Sequence, residues 1–251
     1  MRPMAMGLFV SLLTTTLLVT FSTVRAQDGS RNDAAKALHA LFAAEWDYRM
    51  EQNPTWASVL GDRRWNDRWP DVSLSAIEKR HQHNRDVLTR LKAIDRAQLS
   101  PQDQLNYDLF RKEYKTSVEE YKYRWYFVPL NQRGGIQTAD ELAASLRFQT
   151  LKDYEDWIAR LRALPSYMDQ TTALMREGAK ARMILPKVVM QRVPAQIDKQ
   201  IVEDPQASPF YKPFKNFPDS IQAAERERLE QSARQAISSS VIPAFKQFKQ
   251  F

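Results

Sequence analysis

The sequence predicts an all-α fold, and three observations lead to that class. Apolar residues recur at helical spacing along nearly the whole chain, and the strict alternation typical of half-buried strands is almost absent. Glycine is also rare, with 6 in 251 residues. The chain has 43% hydrophobic residues, enough for a packed core, and no cysteine. Disulfides, thiolate metal sites and a cysteine nucleophile are therefore excluded.

The N-terminus has the pattern of an export signal. Arg2 supplies a positive charge, an apolar segment follows, and residues 24–26 fit a cleavage site. The apolar segment is too short to span a bilayer. We therefore expect a signal peptide over 1–26, cleavage between Ala26 and Gln27, and a periplasmic or secreted location in a bacterium. The alternative is an uncleaved signal anchor, which the arginine just before the cleavage site favours.

The charge balance limits the partners of the chain. There are 37 basic and 30 acidic residues, a net charge of +7, and the excess is spread along the sequence. No run of like charges indicates a nucleic-acid-binding arm, and an exported protein would not meet nucleic acid. We expect neither a nucleic-acid partner nor stable membrane insertion after signal cleavage.

Capping residues and prolines place the first helices. Asn32 or Asp33 is predicted to cap a helix that ends before Pro54, because the residue preceding a proline avoids the helical region. Ser73 or Ser75 is predicted to cap the next helix.

The second half of the chain continues in helices. Pro101 is predicted to begin a helix at its first position, and Thr138 and Thr150 are N-cap signals for two more. Pro194 is predicted to kink a further helix. Four prolines among aromatic residues in the segment 204–218 predict an ordered loop, since its rings would be costly to leave in water.

The last predicted helix bends at Pro243 and carries Phe245, Phe248 and Phe251 on one face. No capping glycine ends this helix, and no later residue covers that face. We expect the three rings to pack against a missing C-terminal half of the fold. Residues 27–251 would then be a single helical domain, truncated at its C-terminus. In the alternative, the rings fold back onto helices in the first half of the chain.

The histidines do not form a metal pair. The sequence has three of them, His39, His81 and His83. Residues two apart on a helix point about 200° away from each other, so the last two cannot chelate one ion. We interpret His81 as a boundary residue and His83 as solvent-facing. Nucleophile-elbow, phosphate-loop and His-Glu-x-x-His motifs are absent, so the sequence predicts no catalytic, cofactor-binding or metal-binding residue in this chain.

The densest aromatic stretch spans residues 121–127. Four of its side chains form a candidate substrate wall for a sugar or a peptide: Tyr121, Tyr123, Trp125 and Tyr126. Core packing between helices is the commoner use of such residues. The basic residues between them could also extend over the rings as snorkelling side chains.

Motifs that carry a family resemblance follow one another along the chain. In order they are Pro54-Thr-Trp-Ala-Ser-Val-Leu-Gly-Asp62, Leu91-Lys-Ala-Ile-Asp95, Leu99-Ser-Pro-Gln-Asp103, Val128-Pro-Leu-Asn131 leading into Gly134-Gly135, Gly178, Leu185-Pro-Lys-Val-Val189 and Ser208-Pro-Phe-Tyr211. With this order and spacing, residues 33–251 resemble the N-terminal part of the domain-of-unknown-function 885 family, a group of exported bacterial proteins.

The resemblance implies a helical, zincin-type metallopeptidase. Its zinc motif, a His-Glu pair followed closely by Pro-Gly-His, would lie in the C-terminal half of the family fold. This chain has no His-Glu and no Pro-Gly dipeptide, and no histidine follows His83. No site residue is therefore carried over, and zinc is expected only in a full-length family member.

Two functions follow as expectations. The first is the N-terminal segment of a hydrolase, inactive alone, with the missing C-terminal half as its partner and a peptide as its substrate. The alternative is a non-catalytic periplasmic binding or interaction module.

Overall fold

The fold is all-α, as the periodicity predicts. The computed structural model describes the backbone of residues 11–251 and the side chains of residues 32–251. Within that range there is no strand, and the one β feature is a bridge between Asn131 and Gly134. Among the described helices, none combines the length and the apolar character needed to cross a bilayer. The side chains of Ala26 and Gln27 lie outside the described residues, so signal cleavage stays a prediction.

Helices follow one another with short connections. The α-helices of the described chain are α1 (Ser11–Gln52), α2 (Pro54–Val59), α3 (Leu74–Lys92), α4 (Pro101–Glu120), α5 (Leu151–Lys180), α6 (Lys187–Met190), α7 (Val193–Asp198), α8 (Ala223–Ala236) and α9 (Ile242–Gln250). Among the shorter segments are 3₁₀ turns at Tyr121–Tyr123, Trp125–Phe127, Ile136–Ser145 and Pro209–Lys215. A π-helical turn, Ile237–Val241, joins α8 to α9.

Several predicted boundaries agree with the structure. The first helix ends before Pro54, and Pro101 begins α4. Ser73 caps α3, where its hydroxyl accepts a hydrogen bond from Ala76 N at 3.2 Å. Thr150 begins α5 in a capping box with Asp153.

Three predicted boundaries are wrong. α1 continues through Asn32 and Asp33, so neither of them caps it. Thr138 lies at a non-helical break within Ile136–Ser145 rather than at its start. Pro194 lies in the first turn of α7, where its missing N–H loses no helical hydrogen bond, and it therefore begins a helix instead of kinking one.

The chain divides into two compact units. Of the described residues, the first unit contains 11–45 and Gln82–Glu119, and the second contains Trp46–His81 and Glu120–Phe251. The buried apolar cluster of the first unit consists of Leu38, Leu41, Leu91, Leu99 and Tyr107.

A buried carboxylate is the main polar feature of the first unit. Glu45 is 1% exposed and accepts a hydrogen bond from Tyr114 Oη at 2.9 Å. Its carboxylate also lies 2.7 Å from His83 Nε2 and 3.3 Å from Arg90 Nη1, as a buried charge requires partners. The interpretation of His83 as solvent-facing is therefore wrong. His83 and His81 do lie on different sides of α3, as predicted. However, the imidazole of His83 contacts Glu45 and does not point into solvent.

Helix α5 is central to the second unit. Its most buried side chains are no more than 1% exposed and include Tyr154, Trp157, Leu161 and Leu164. The helix packs against α8, α9 and the π-helical turn between them. Phe210, Tyr211 and Phe214 of the proline-rich segment are buried in the same core, which confirms the prediction of an ordered loop.

The rings of the last helix are mostly covered. Phe245 is fully buried and Phe248 is 5% exposed, and the ring of Phe245 lies 6.0 Å from that of Phe210. Phe251 is 47% exposed, with Arg176 5.1 Å from its ring centre. The prediction of an uncovered face is wrong for two of the three rings. The rings of Phe245 and Phe248 pack against α5 and the proline-rich segment. Both of these elements follow the helices of the first half of the chain, onto which the alternative prediction folded the rings.

One arginine is completely buried in the second unit. Arg160 is 0% exposed, and its Nε and Nη2 atoms donate to backbone carbonyls and one hydroxyl of the segment 54–68. The acceptors are Pro54 O at 3.1 Å, Ser58 Oγ at 2.7 Å, Trp65 O at 3.1 Å and Arg68 O at 2.9 Å. Burial lowers the pKa of this guanidinium to about 10, which leaves it charged at neutral pH. A single side chain thus ties this irregular segment to α5.

Candidate substrate-binding site

The aromatic stretch after α4 presents its rings in two environments. It folds as two 3₁₀ turns, and Arg124 between them has a left-handed φ of 54°. That conformation costs a residue other than glycine roughly 1–2 kcal/mol. Trp125 and Tyr123 are 67% and 52% exposed, whereas Phe127 is buried at 8%.

The other two predicted wall residues are held by neighbours. The ring of Tyr121 stacks on His81 at a centre-to-centre distance of 3.8 Å, and its hydroxyl donates a hydrogen bond to Glu78. This hydrogen bond raises the pKa of the Tyr121 hydroxyl well above its usual value. Tyr126 lies 5.8 Å from the Tyr121 ring and 4.7 Å from the Phe127 ring. The structure therefore brings Tyr121 and Tyr126 together as a packed base, and leaves the two more exposed rings available for contact.

An apolar pocket adjoins this segment. It has a volume of about 120 Å³, and all nine residues that line it are apolar. One wall is residues 127–130, another is residues 183–185, and Met175 and Met190 complete the lining. The aromatic stretch and the pocket share Phe127, which ends the stretch and lines the cavity.

The close approach of α5 to the first wall requires a glycine. A Cβ placed on Gly178 would lie 2.7 Å from Phe127 O, and this distance is too short for any side chain at that position. After the helix ends, Met183 N donates to Gly178 O at 2.8 Å, and Arg182 takes a left-handed φ of 58°. This turn directs the chain into the second wall of the pocket.

The sequence also matches a known family. A model of the family described as "Bacterial protein of unknown function (DUF885)" covers residues 54–251, well over half of the chain. The chain belongs to the DUF885 family. This finding confirms the resemblance at the level of the family. Comparison with curated proteins gives no match for this DUF885 chain.

Three motifs that carry the DUF885 resemblance meet at the pocket. They are Val128-Pro-Leu-Asn131, Gly178 and Leu185-Pro-Lys-Val-Val189. The sequence analysis identified these motifs but did not predict the pocket. Apolar residues and methionines at helical spacing usually indicate ordinary core packing. Their convergence is visible only in the structure, and the sequence contains no signal for it.

Four basic residues lie close in sequence to the segments that line the pocket of this DUF885 chain. Arg124 and Arg182 precede the two walls, and Lys187 and Arg192 follow the second wall and Met190. All four are exposed, and none has an ion-pair partner among the described residues.

The described side chains do not fit a zinc site. No group of three or more histidine, aspartate or glutamate side chains in that range could hold a metal ion. His39 contacts Asp103 at 2.8 Å, whereas the other two histidines make the separate contacts given above. We expect the purified chain to retain no stoichiometric zinc. Elemental analysis after dialysis from a zinc-containing buffer checks this, and one tightly held zinc per chain would contradict it.

Proposed function

We propose that this chain is the substrate-binding N-terminal segment of an exported peptide hydrolase of zincin type. Its aromatic wall and apolar pocket would form the non-catalytic side of a peptide cleft. The observation that carries the proposal is that the segment with two exposed aromatic rings, Tyr123 and Trp125, ends in Phe127, which lines an apolar pocket. Membership of the DUF885 family supports it at the coarser level.

The geometry suits an extended peptide better than a compact ligand. Trp125 and Tyr123 present flat apolar faces with a polar group at the edge, which can contact side chains and backbone together. The cavity is smaller than the pockets of several hundred Å³ that take drug-sized molecules. It therefore suits one side chain of a longer ligand whose remainder lies on the aromatic wall.

Hydrolysis itself is assigned to the C-terminal half of the family fold. The described residues supply neither a metal-ligand cluster nor a nucleophile motif, so no catalytic step is derived for them. The rival proposal is a non-catalytic binding module that uses the same surface. The two proposals share the prediction of peptide binding, and they differ in whether a protein carrying the zinc motif cleaves the bound peptide.

Export remains part of the proposal. It is supported by the signal pattern of residues 1–26. Mass spectrometry of the exported protein is expected to find Gln27 at the N-terminus. A membrane-bound protein that keeps Met1 would support the signal-anchor alternative instead.

Peptide binding is tested by removing one exposed ring. Trp125→Ala is expected to weaken binding of a short apolar peptide about tenfold, since an exposed aromatic anchor contributes more than 1 kcal/mol in many interfaces. Isothermal titration with an N-acetylated tetrapeptide of three alanines and a C-terminal leucine gives the affinity. Trp56→Ala is the matched control, because Trp56 is 55% exposed but lies outside the wall. The proposal fails if the unmodified protein shows no saturable binding, or if both variants lose affinity equally.

A further inference from the structure

A second pocket in the second unit is mainly polar, in contrast to the apolar pocket beside Phe127. Its volume is about 350 Å³, which lies within the range of sites that bind small molecules. It is lined by ten residues from two segments, 58–66 and 145–149, and none of the ten is acidic. An anionic occupant would therefore meet no like charge in the lining. The polar members of the lining are Ser58, Arg63, Asn66, Ser145, Arg147 and Gln149.

The two arginines of this lining lie next to each other. Arg63 Nη2 is 3.5 Å from Arg147 O and donates a hydrogen bond to the Asp153 carboxylate at 2.6 Å. The Nε and Nη1 atoms of Arg63 have no acceptor among the described residues. The guanidinium of Arg147 has neither a hydrogen-bond nor an ion-pair partner in the same part of the chain. Both side chains can therefore donate to a ligand, and arginine binds carboxylates and phosphates through two parallel hydrogen bonds.

The charge around this pocket is positive on balance. Ser58 Oγ accepts a hydrogen bond from Arg160 at 2.7 Å, which places a fully buried guanidinium directly behind the lining. The neighbouring carboxylates are each paired with another basic residue, in the pairs Asp62–Arg64, Asp67–Arg68 and Asp156–Lys152. Within residues 32–251, Arg147 and Arg160 thus have no ion-pair partner. A concave site with an excess of one charge attracts the opposite charge.

The neutral side chains of the lining indicate that the occupant also carries hydroxyl groups. The Ser145 hydroxyl and the Gln149 carboxamide make no hydrogen bond to any described residue. Asn66 Oδ1 is shielded from solvent and likewise has no partner in the described part of the chain. Shielded polar atoms of this kind are normally hydrogen-bonded, so this oxygen calls for a donor. The lining therefore suits a molecule with both an anionic group and hydroxyl groups.

We propose that the polar pocket binds an anionic molecule of monosaccharide size, with its oxyanion on Arg63 and Arg147 and its hydroxyl groups on the neutral side chains. A sugar phosphate and a sugar carboxylate share this chemistry. A bare ion fits less well, because the volume is about twice that of a cavity of about 150 Å³, which holds one benzene molecule. The polar pocket shares no lining residue with the apolar one, so this inference is independent of the proposed peptide binding.

Isothermal titration with four probes tests the proposal: glucose 6-phosphate, glucuronate, glucose and inorganic phosphate. At least one of the two anionic sugars is expected to bind about tenfold more tightly than glucose, because a charge-assisted arginine pair contributes on that order. The same sugar is expected to bind more tightly than inorganic phosphate, which has no hydroxyl groups for the neutral side chains. The tighter of the two anionic sugars shows whether the oxyanion is a phosphate or a carboxylate.

Substitutions in the lining assign the effect to this pocket. Arg147→Gln is expected to weaken binding of the anionic sugar about tenfold and to leave the far-UV circular dichroism unchanged, since Arg147 is exposed. Arg162→Gln, at an exposed position outside the lining, is the matched control and should keep the affinity. Ser145→Asp adds a negative charge to the lining and should also weaken binding. Its control is Ser75→Asp, which adds the same charge at an exposed position outside the lining.

Each contrary result has a distinct meaning. Glucose binding as tightly as both anionic sugars would overturn the role of the two arginines. Inorganic phosphate binding as tightly as the sugar phosphate would overturn the assignment to a molecule of monosaccharide size. Equal losses in Arg147→Gln and Arg162→Gln, or no saturable binding of either anionic sugar at millimolar concentration, would overturn the site as a whole. None of these results bears on peptide binding, which Trp125→Ala tests separately.

Discussion

Replacing Arg160 with methionine is expected to lower the free energy of unfolding by about 3–5 kcal/mol. The side chain is fully buried and donates to four acceptors of the segment 54–68. Methionine has a similar length but no donor, so buried carbonyl oxygens would lose their partners at about 1–3 kcal/mol each. Part of that loss is offset, because the guanidinium is itself costly to bury, as its lowered pKa of about 10 shows.

Urea unfolding followed by far-UV circular dichroism measures this change. Arg162→Met is the matched control, since Arg162 lies two residues further along α5 and is exposed. A surface substitution of this kind should change stability by no more than about 0.5 kcal/mol. Equal effects of the two substitutions would show that the hydrogen bonds of Arg160 do not hold the irregular segment in place.

Truncating Phe245 to alanine is expected to cost a similar amount, about 3–5 kcal/mol. Its ring is fully buried against Phe210 and α5, and the core cannot fill the space that the ring leaves. Phe251→Ala removes the same atoms from the residue that follows the same helix, but Phe251 is 47% exposed. We expect this second variant to lose less than about 1 kcal/mol.

The two phenylalanine variants are best compared in one denaturation series, at one protein concentration. Size-exclusion chromatography in the same buffer verifies that both variants are monodisperse. If Phe245→Ala were as mild as Phe251→Ala, the last helix would contribute little to the core of the second unit. Its buried rings would then be incidental to stability.

The sequence predicted local features well and tertiary partners poorly. The helical class, the cap at Thr150 and the ordered proline-rich segment follow from spacing and backbone chemistry, which act within a few residues. His83 and Phe245 were misjudged because their surroundings come from distant residues. The carboxylate of Glu45 is 38 positions from His83 in the chain, and a periodic pattern identifies a face without identifying what lies opposite.

The candidate site divides in the same way. The aromatic stretch was visible in the sequence, and the structure shows which of its rings are exposed and which are packed. The pocket was not predicted, because its lining comes from separate parts of the chain, each of which resembles ordinary core. The left-handed backbone of Arg182 was not predicted either. That conformation is common for glycine and occasional for asparagine, and nothing in the sequence indicates it for an arginine.

The π-helical turn Ile237–Val241 takes up one residue more than a regular helical turn, so the chain is longer there while the following side chains keep their direction. Removing one of its exposed serines, Ser238 or Ser239, would keep every apolar residue and leave a regular turn in its place. Phe245 and Phe248 would then stay in phase with the core. A deletion between Pro243 and Phe245, in the regular part of α9, would instead rotate both rings by about 100° relative to the core.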